Sequence, residues 1–277
     1  MNSLRKLIII FTGLLILVTF VAGCGKKEKQ DLLKVVKLRG KIIAGVKYDA
    51  KPFGFIDENQ KVQGFDIDLC REIAKRILGN ENAIEFKQVT SSNRILSITS
   101  STIDFAAATM TITPNRSRII DFSNPYYIAG QAIMVPKGSS VKTLNDLNDK
   151  TIIVVLGSTS EMNIRHAFPK AKVLGFRTYT DAFSALRNKR GDVLTTDDSI
   201  LYGFISKNPE FIILKERLTQ EPYGLGFKKG MEVQSFMESV NSALQEIAED
   251  GTMTKLEDKW IGDFRKTDNQ KSPDSDG

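Results

Sequence analysis

The hydrophobic pattern changes period several times along the chain, and each change marks an element. Leu7 to Val21 is apolar almost without interruption. Ile42 to Val46 is a short apolar run suited to a strand, and Thr151 to Leu156 is a β-branched run suited to a buried one. From Phe65 to Leu78 the apolar residues fall at Ile67, Cys70, Ile73, Ala74 and Ile77, the spacing of one helix face. Asp66 is placed to cap that helix and Gly79 to stop it. Thr180 to Asn188 reads as a helix with Ala182, Ala185 and Leu186 inward, and Val193 to Thr195 as a strand. Phe236, Val240, Ala243, Leu244 and Ile247 mark a late amphipathic helix closed by Gly251. Strand-like and helix-like segments therefore alternate, which predicts an α/β fold. Residues 265–277 have no apolar side chain to bury and are expected to be disordered. No internal repeat is visible.

The first apolar run sets the compartment. Arg5 and Lys6 precede it, and at about 15 residues it is short for a membrane span but suited to a secretory leader. It ends in Val21-Ala22-Gly23-Cys24, which resembles a bacterial lipobox. That resemblance implies cleavage of residues 1–23, lipid on Cys24 and a membrane-tethered linker over residues 24–34. A plain cleaved leader with a chance cysteine is the alternative. Cys70 is then the one remaining thiol, so no internal disulfide forms. Its helical position suggests a small buried side chain. With a single histidine, His166, no Cys/His metal cluster is expected, and no cofactor. Cys70 with His166 is the one Cys–His nucleophilic pairing available, and neither sits in a nucleophile-like turn.

Loss of Arg5 and Lys6 with the leader lowers the formal net charge from +6 by two. The charges are interspersed, and Lys26-Lys27-Glu28-Lys29 is the one dense basic stretch. Nucleic-acid binding needs a longer stripe with aromatic partners, so none is expected. A solvated spacer beside anionic headgroups accounts for this run.

Polar groups converge at three places. Thr109, Thr111 and Thr113 alternate, so their hydroxyls share a face while the segment is extended. Thr113-Pro114 then resembles a helix start, with Arg116 in its first turn. Free amides and a guanidinium at one spot suit a carboxylate or phosphate. A cap beside an exposed arginine would read the same way. Gly157-Ser158-Thr159-Ser160 follows a strand and gives a second amide- and hydroxyl-rich turn. Ser158 and Glu161 are also spaced as a capping box. Asp192-Val193-Leu194-Thr195-Thr196-Asp197-Asp198 ends a strand in two carboxylates, one able to cap a helix and the other to accept a cation. Two anion-receptive turns and a carboxylate match a zwitterion, the charge pattern of a free α-amino acid.

At these residues the chain resembles the family-3 extracellular solute-binding proteins that serve polar amino-acid ABC importers. The likeness runs from about Val35 to Gly262. It includes Gly64-Phe65-Asp66-Ile67-Asp68, Thr109 to Arg116, Asp121-Phe122-Ser123 with Tyr126, Gly157-Ser158-Thr159, Asp192 to Asp197, Glu221-Pro222-Tyr223-Gly224 and Lys259-Trp260. The resemblance implies a two-lobed, periplasmic-binding-protein-like fold with crossing hinge strands and a ligand cleft. Lobe 1 would take residues 35–129 and 223–264, and lobe 2 residues 130–222. It further implies that Arg116 clamps an α-carboxylate with Thr111, Thr109 and the Ser158–Thr159 turn, while Asp197 receives the α-ammonium.

Many relatives place an aromatic residue just before the position of Pro52-Phe53; here Ala50 stands there. The run Gly45-Val46-Lys47-Tyr48-Asp49, with Thr90 to Arg94 and Tyr223, instead resembles the acidic-amino-acid branch. There Arg94, Lys47 and Tyr223 would select glutamate or aspartate. A helix-surface role for Arg94 is the plain alternative, and glutamine or another polar amino acid the alternative ligand. The expected protein is a monomer held outside the cytoplasm by lipid, delivering its ligand to ABC permease subunits, and not an enzyme. A cyclohexadienyl-type dehydratase shares the architecture but needs a spare acid or base beyond Asp49, Asp197 and Asp198. A sensor domain would normally continue into a membrane span.

Overall fold

A computed structural model describes residues 30–262. The leader, the Cys24 lipidation position and residues 265–277 lie outside the described residues.

Two sheets organise the chain. In the first, of order β5-β1-β6-β14-β7, β1 (Ile42–Val46), β5 (Ile84–Gln88) and β6 (Phe105–Ala107) run parallel, and β14 (Gly226–Lys228) pairs antiparallel with both β6 and β7 (Ile120–Phe122). The unbroken apolar run of β1 suits a central parallel strand covered on both faces. A small hairpin sheet, β2 (Asp49–Ala50), β3 (Gly54–Ile56) and β4 (Val62–Gln63), lies off this edge. Around the first sheet pack α1 (Leu32–Arg39), α2 (Phe65–Leu78), α3 (Arg94–Thr99), α4 (Pro114–Ser117), α8 (Met231–Glu249) and α9 (Thr252–Trp260).

The second sheet has the order β10-β9-β11-β8-β12. Here β9 (Thr151–Val155), β10 (Lys172–Phe176) and β11 (Val193–Asp197) are parallel, and β8 (Tyr127–Pro136) and β12 (Phe211–Ile213) complete it. Its helices are α5 (Thr159–Ala167), α6 (Tyr179–Arg187) and α7 (Asp198–Ile205). The fold is thus the expected two-lobed α/β arrangement.

Two strands join the lobes. The first residues of β8 pair with β13 (Gln220–Tyr223), Tyr127 opposite Tyr223 and Gly130 opposite Gln220. Beyond them β8 pairs with β11 and β12. The chain therefore enters the second lobe along β8 and leaves along β13. An aromatic group packs at this crossing: Phe53 lies edge-on to Tyr127 at 5.2 Å and to Tyr223 at 5.4 Å between ring centroids. Such contacts add to plain area burial and tie the crossing strands to the lobe 1 core.

The late stripe is observed, with Phe236, Val240, Ala243, Leu244 and Ile247 buried along α8. Cys70 is fully buried, and burial pushes its thiol well up, while His166 sits exposed on α5. Two local expectations are corrected. The α2 cap is Gly64, not Asp66, because the chain turns there at φ 133 with Phe53 O only 2.2 Å from where a Cβ would sit. Thr109 adopts φ 45, so the Thr109–Thr113 alternation breaks at its first member.

Candidate functional site

The two lobes meet over the residues singled out above. Thr113 caps α4, its hydroxyl accepting from the Arg116 amide at 3.3 Å, and Pro114 opens the helix. This turn aims Arg116 inward rather than to solvent. The guanidinium donates to Thr111 O at 2.7 Å in its own lobe and to Gly157 O at 3.3 Å across the interface. It is 7% exposed, and burial, with Arg94 nearby, lowers it to about 9 against the support of Glu221 and Asp197.

Opposite stands the β9–α5 turn. Ser158 caps α5, accepting from Glu161 N at 3.1 Å while donating to Val155 O at 2.7 Å. Its hydroxyl is therefore committed within lobe 2. The expected capping box is skewed, since the Glu161 carboxylate accepts from Gly157 N at 2.9 Å. Thr159 is the reaching member of the turn: its hydroxyl lies 3.3 Å from that of Thr111 and donates to Glu221 at 2.8 Å.

The two carboxylates ending β11 divide their roles. Asp198 accepts from Gly130 N at 3.2 Å and pairs with Arg217 at 2.8 Å. Asp197 is buried, with one oxygen accepting from the Tyr223 hydroxyl and Oδ1 without a partner among the described residues. Burial, reinforced by Glu221, pushes Asp197 up to about 7, opposed by the Tyr223 bond and Arg94.

Arg94 is 2% exposed and so is not a helix-surface residue. It donates to Ala108 O at 2.5 Å and Thr109 O at 3.0 Å, while Nε has no partner among the described residues. Lys47 is fully buried, donates to Ser91 Oγ at 2.7 Å and lies 4.8 Å above the Tyr179 ring. Burial lowers it to about 7, with Asp49, Asp197 and Asp66 supporting its charge and Arg94 opposing it.

Tyr179 is the residue that sequence reasoning missed. It opens α6 in lobe 2, yet its amide donates to Asp49 in lobe 1 at 2.7 Å. The lobes touch elsewhere through small residues: a Cβ on Gly203 would meet Lys51 O at 2.4 Å, and one on Gly157 would meet Ser92 Cα at 2.7 Å. The site is thus seen closed. Its members are brought together except Ser158, whose hydroxyl serves its own helix.

Three buried polar atoms here, Arg94 Nε, Thr109 Oγ1 and Asp197 Oδ1, lack partners among the described residues. Buried polar groups are normally satisfied, so donors and acceptors left over between two lobes point to a polar ligand. Fold and site together define a two-lobed solute-binding protein.

The chain belongs to the bacterial extracellular solute-binding proteins, family 3, which it matches over residues 42–263. It is a binding protein rather than an enzyme, and it works outside the cytoplasm. It is 40% identical over 255 residues to the ABC transporter glutamine-binding protein GlnH of Bacillus subtilis (strain 168), covering 88% of this chain and 93% of that one. Among solved structures it is similar to the cysteine-binding protein of Campylobacter jejuni, with TM-score 0.80, 31% identity and coverage of 83% and 93%. An ancestral arginine-binding protein bound to glutamine matches with TM-score 0.76 and 41% identity, covering 80% of this chain and 98% of that one.

Proposed function

We propose that this chain is the amino-acid-binding subunit of an ABC importer and that its ligand is glutamine. The observation that carries this reading is the pair Arg116 and Asp197. They reach one closed interface from opposite lobes, both buried, with Asp197 Oδ1 unpartnered among the described residues. In this reading Arg116, Thr111 and Thr159 hold the α-carboxylate, and Asp197 the α-ammonium. Thr109, Lys47, Arg94 and Tyr223 line the ligand's side chain. Lobe 1 comprises residues 35–129 and 223–264, lobe 2 residues 130–222, and β8 with β13 is the hinge. Cys24 carries the lipid that tethers the protein beside its permease, with residues 24–34 as the linker.

Two arguments favour glutamine over the acidic ligands that Lys47 and Arg94 first suggest. Lys47, lowered to about 7, is only partly charged at neutral pH, and carboxylates already act on both cations: Asp49, Asp66 and Asp197 on Lys47, and Asp66 and Asp197 with Arg94. A side-chain carboxylate would enter a site already rich in anions, whereas an amide brings no charge. The relatives named for glutamine at 40% identity, and the ancestral protein holding it, support the same choice. Calorimetric titration of the ligand-stripped chain from residue 25 with glutamine, glutamate, aspartate, arginine and cystine tests it. Glutamine is expected to bind most tightly. Preference for glutamate or aspartate would restore the acidic reading, and no binding of any amino acid would overturn the proposal.

The hinge reading also carries a pH dependence. Closed, Asp197 titrates at about 7; opened to water it returns toward an ordinary carboxylate value of about 3.9. The closed form therefore binds more protons between those values, and acid favours closure of the ligand-free protein from about pH 7 down to pH 4. Lys47 acts the other way only above about 7, where its lowered amine binds fewer protons when closed. Small-angle scattering of ligand-free protein is expected to give a smaller radius of gyration at pH 5 than at pH 8. An unchanged or larger radius contradicts the assignment.

A further inference from the structure

Asp66 is a buried charge that the ligand reading leaves without a task. It lies in the first turn of α2, fully buried, on the lobe 1 side of the site. One oxygen accepts from the Tyr126 hydroxyl at 2.9 Å and the other from the Thr109 amide at 3.3 Å. Thr109 is held at φ 45, and its carbonyl accepts from Arg94 at 3.0 Å. A continuous chain thus runs from the Asp66 carboxylate through the Ala108–Thr109 peptide unit, whose carbonyl, Ala108 O, accepts from the Arg94 guanidinium at 2.5 Å. Lys47 and Arg94 are the cations that act on this carboxylate, and Asp66 in turn supports the charge on Lys47. Burial raises Asp66 to about 6, which leaves it mostly ionised at neutral pH.

A buried anion beside two buried cations has an electrostatic consequence. Each additional anion placed near the same cations gains less, because the resident carboxylate repels it as the cations attract it. An uncharged amide loses nothing by this. The same carboxylate sets the backbone turn that aims Arg94, so its geometric and electrostatic roles act on one subsite.

We propose that Asp66 is a specificity-determining positioning residue: a resident carboxylate behind Lys47 and Arg94 that biases the site toward an amide side chain and against a carboxylate. It acts through Arg94, Lys47 and Thr109 without touching the ligand. The inference rests on the glutamine reading given above.

Asp66→Asn separates charge from shape. Its side-chain oxygen accepts from Thr109 N and its amide donates to the Tyr126 oxygen, so both contacts persist, the second with donor and acceptor exchanged, while the charge is lost. Wild type, Asp66→Asn and Tyr126→Phe are titrated with glutamine and glutamate at pH 7. The asparagine variant is expected to shift the affinity ratio toward glutamate by about tenfold or more, equivalent to about 1.4 kcal/mol. Tyr126→Phe, which removes a bond without changing charge, is expected to leave that ratio unchanged. Asp66→Ser, smaller and also uncharged, gives the same ratio test if the asparagine variant does not fold. Equal losses for both ligands, or an unchanged ratio, overturn the inference while wild-type glutamine binding keeps the function reading. Wild-type protein that holds neither ligand overturns both.

Discussion

Asp197→Ala is expected to abolish most ligand binding while changing the stability of the ligand-free protein little. Losing one half of a buried, hydrogen-bonded charge pair costs about 2–5 kcal/mol of binding. Asp197 fits that case because it is buried, its charge acts on Arg116, and its Oδ1 has no partner among the described residues. The stability side follows from the hinge: the open, ligand-free protein exposes this carboxylate to water, so its raised value of about 7 belongs to the closed form alone. Arg116→Ala is expected to lose binding by a similar amount, since its buried guanidinium reaches across the interface to Gly157 O. Calorimetry together with thermal melts separates the two effects. Binding within about threefold of wild type in either variant would remove that residue from the site.

Gly203→Ala is expected to weaken binding by about tenfold or more without touching the ligand. Gly203 lies in α7, where alanine is the better helix former by about 1 kcal/mol. Its new Cβ would sit 2.4 Å from Lys51 O, a backbone atom of the other lobe with little room to yield. The substitution therefore stabilises lobe 2 alone and obstructs closure. The expected signature is an unchanged or raised melting temperature without ligand, weaker affinity, and a larger scattering radius with ligand present. Wild-type affinity would mean that the lobes need not come this close to hold ligand.

Local chemistry was legible in the sequence, and long-range geometry was not. Thr113-Pro114 and Ser158 announced helix starts because capping depends on a few adjacent residues, and both cap as read. The α8 stripe was equally plain from its period. Asp66 misled because a polar residue at a helix start looks like a cap, whereas its partners Tyr126 and Thr109 lie far along the chain. From the local residues alone Asp197 and Asp198 look alike; the family resemblance pointed to Asp197, and Arg217 pairs with Asp198. Tyr179 carried no signal at all: it reads as one more apolar residue opening an amphipathic helix, and its interlobe contact exists only because the lobes close on Asp49 and Lys47. The return of β14 to the first sheet was expected from the family resemblance and not from any local pattern, since its pairing with β6 and β7 follows a full excursion through the second lobe.

The charge distribution also explains why closure would depend on ligand. Arg94, Arg116, Lys47, Asp66 and Asp197 all lie buried in the closed form. Burying such groups without full compensation is costly, and a zwitterion supplies opposite charges to Arg116 and Asp197 together. Ligand then shifts a hinge equilibrium rather than creating a new fold.

The most direct test is a crystal structure of the protein grown with glutamine. The account predicts the ligand between the lobes, its carboxylate within hydrogen-bond reach of Arg116 and its ammonium within reach of Asp197 Oδ1. Glutamine bound with its carboxylate away from Arg116, or outside the interlobe site, would contradict it.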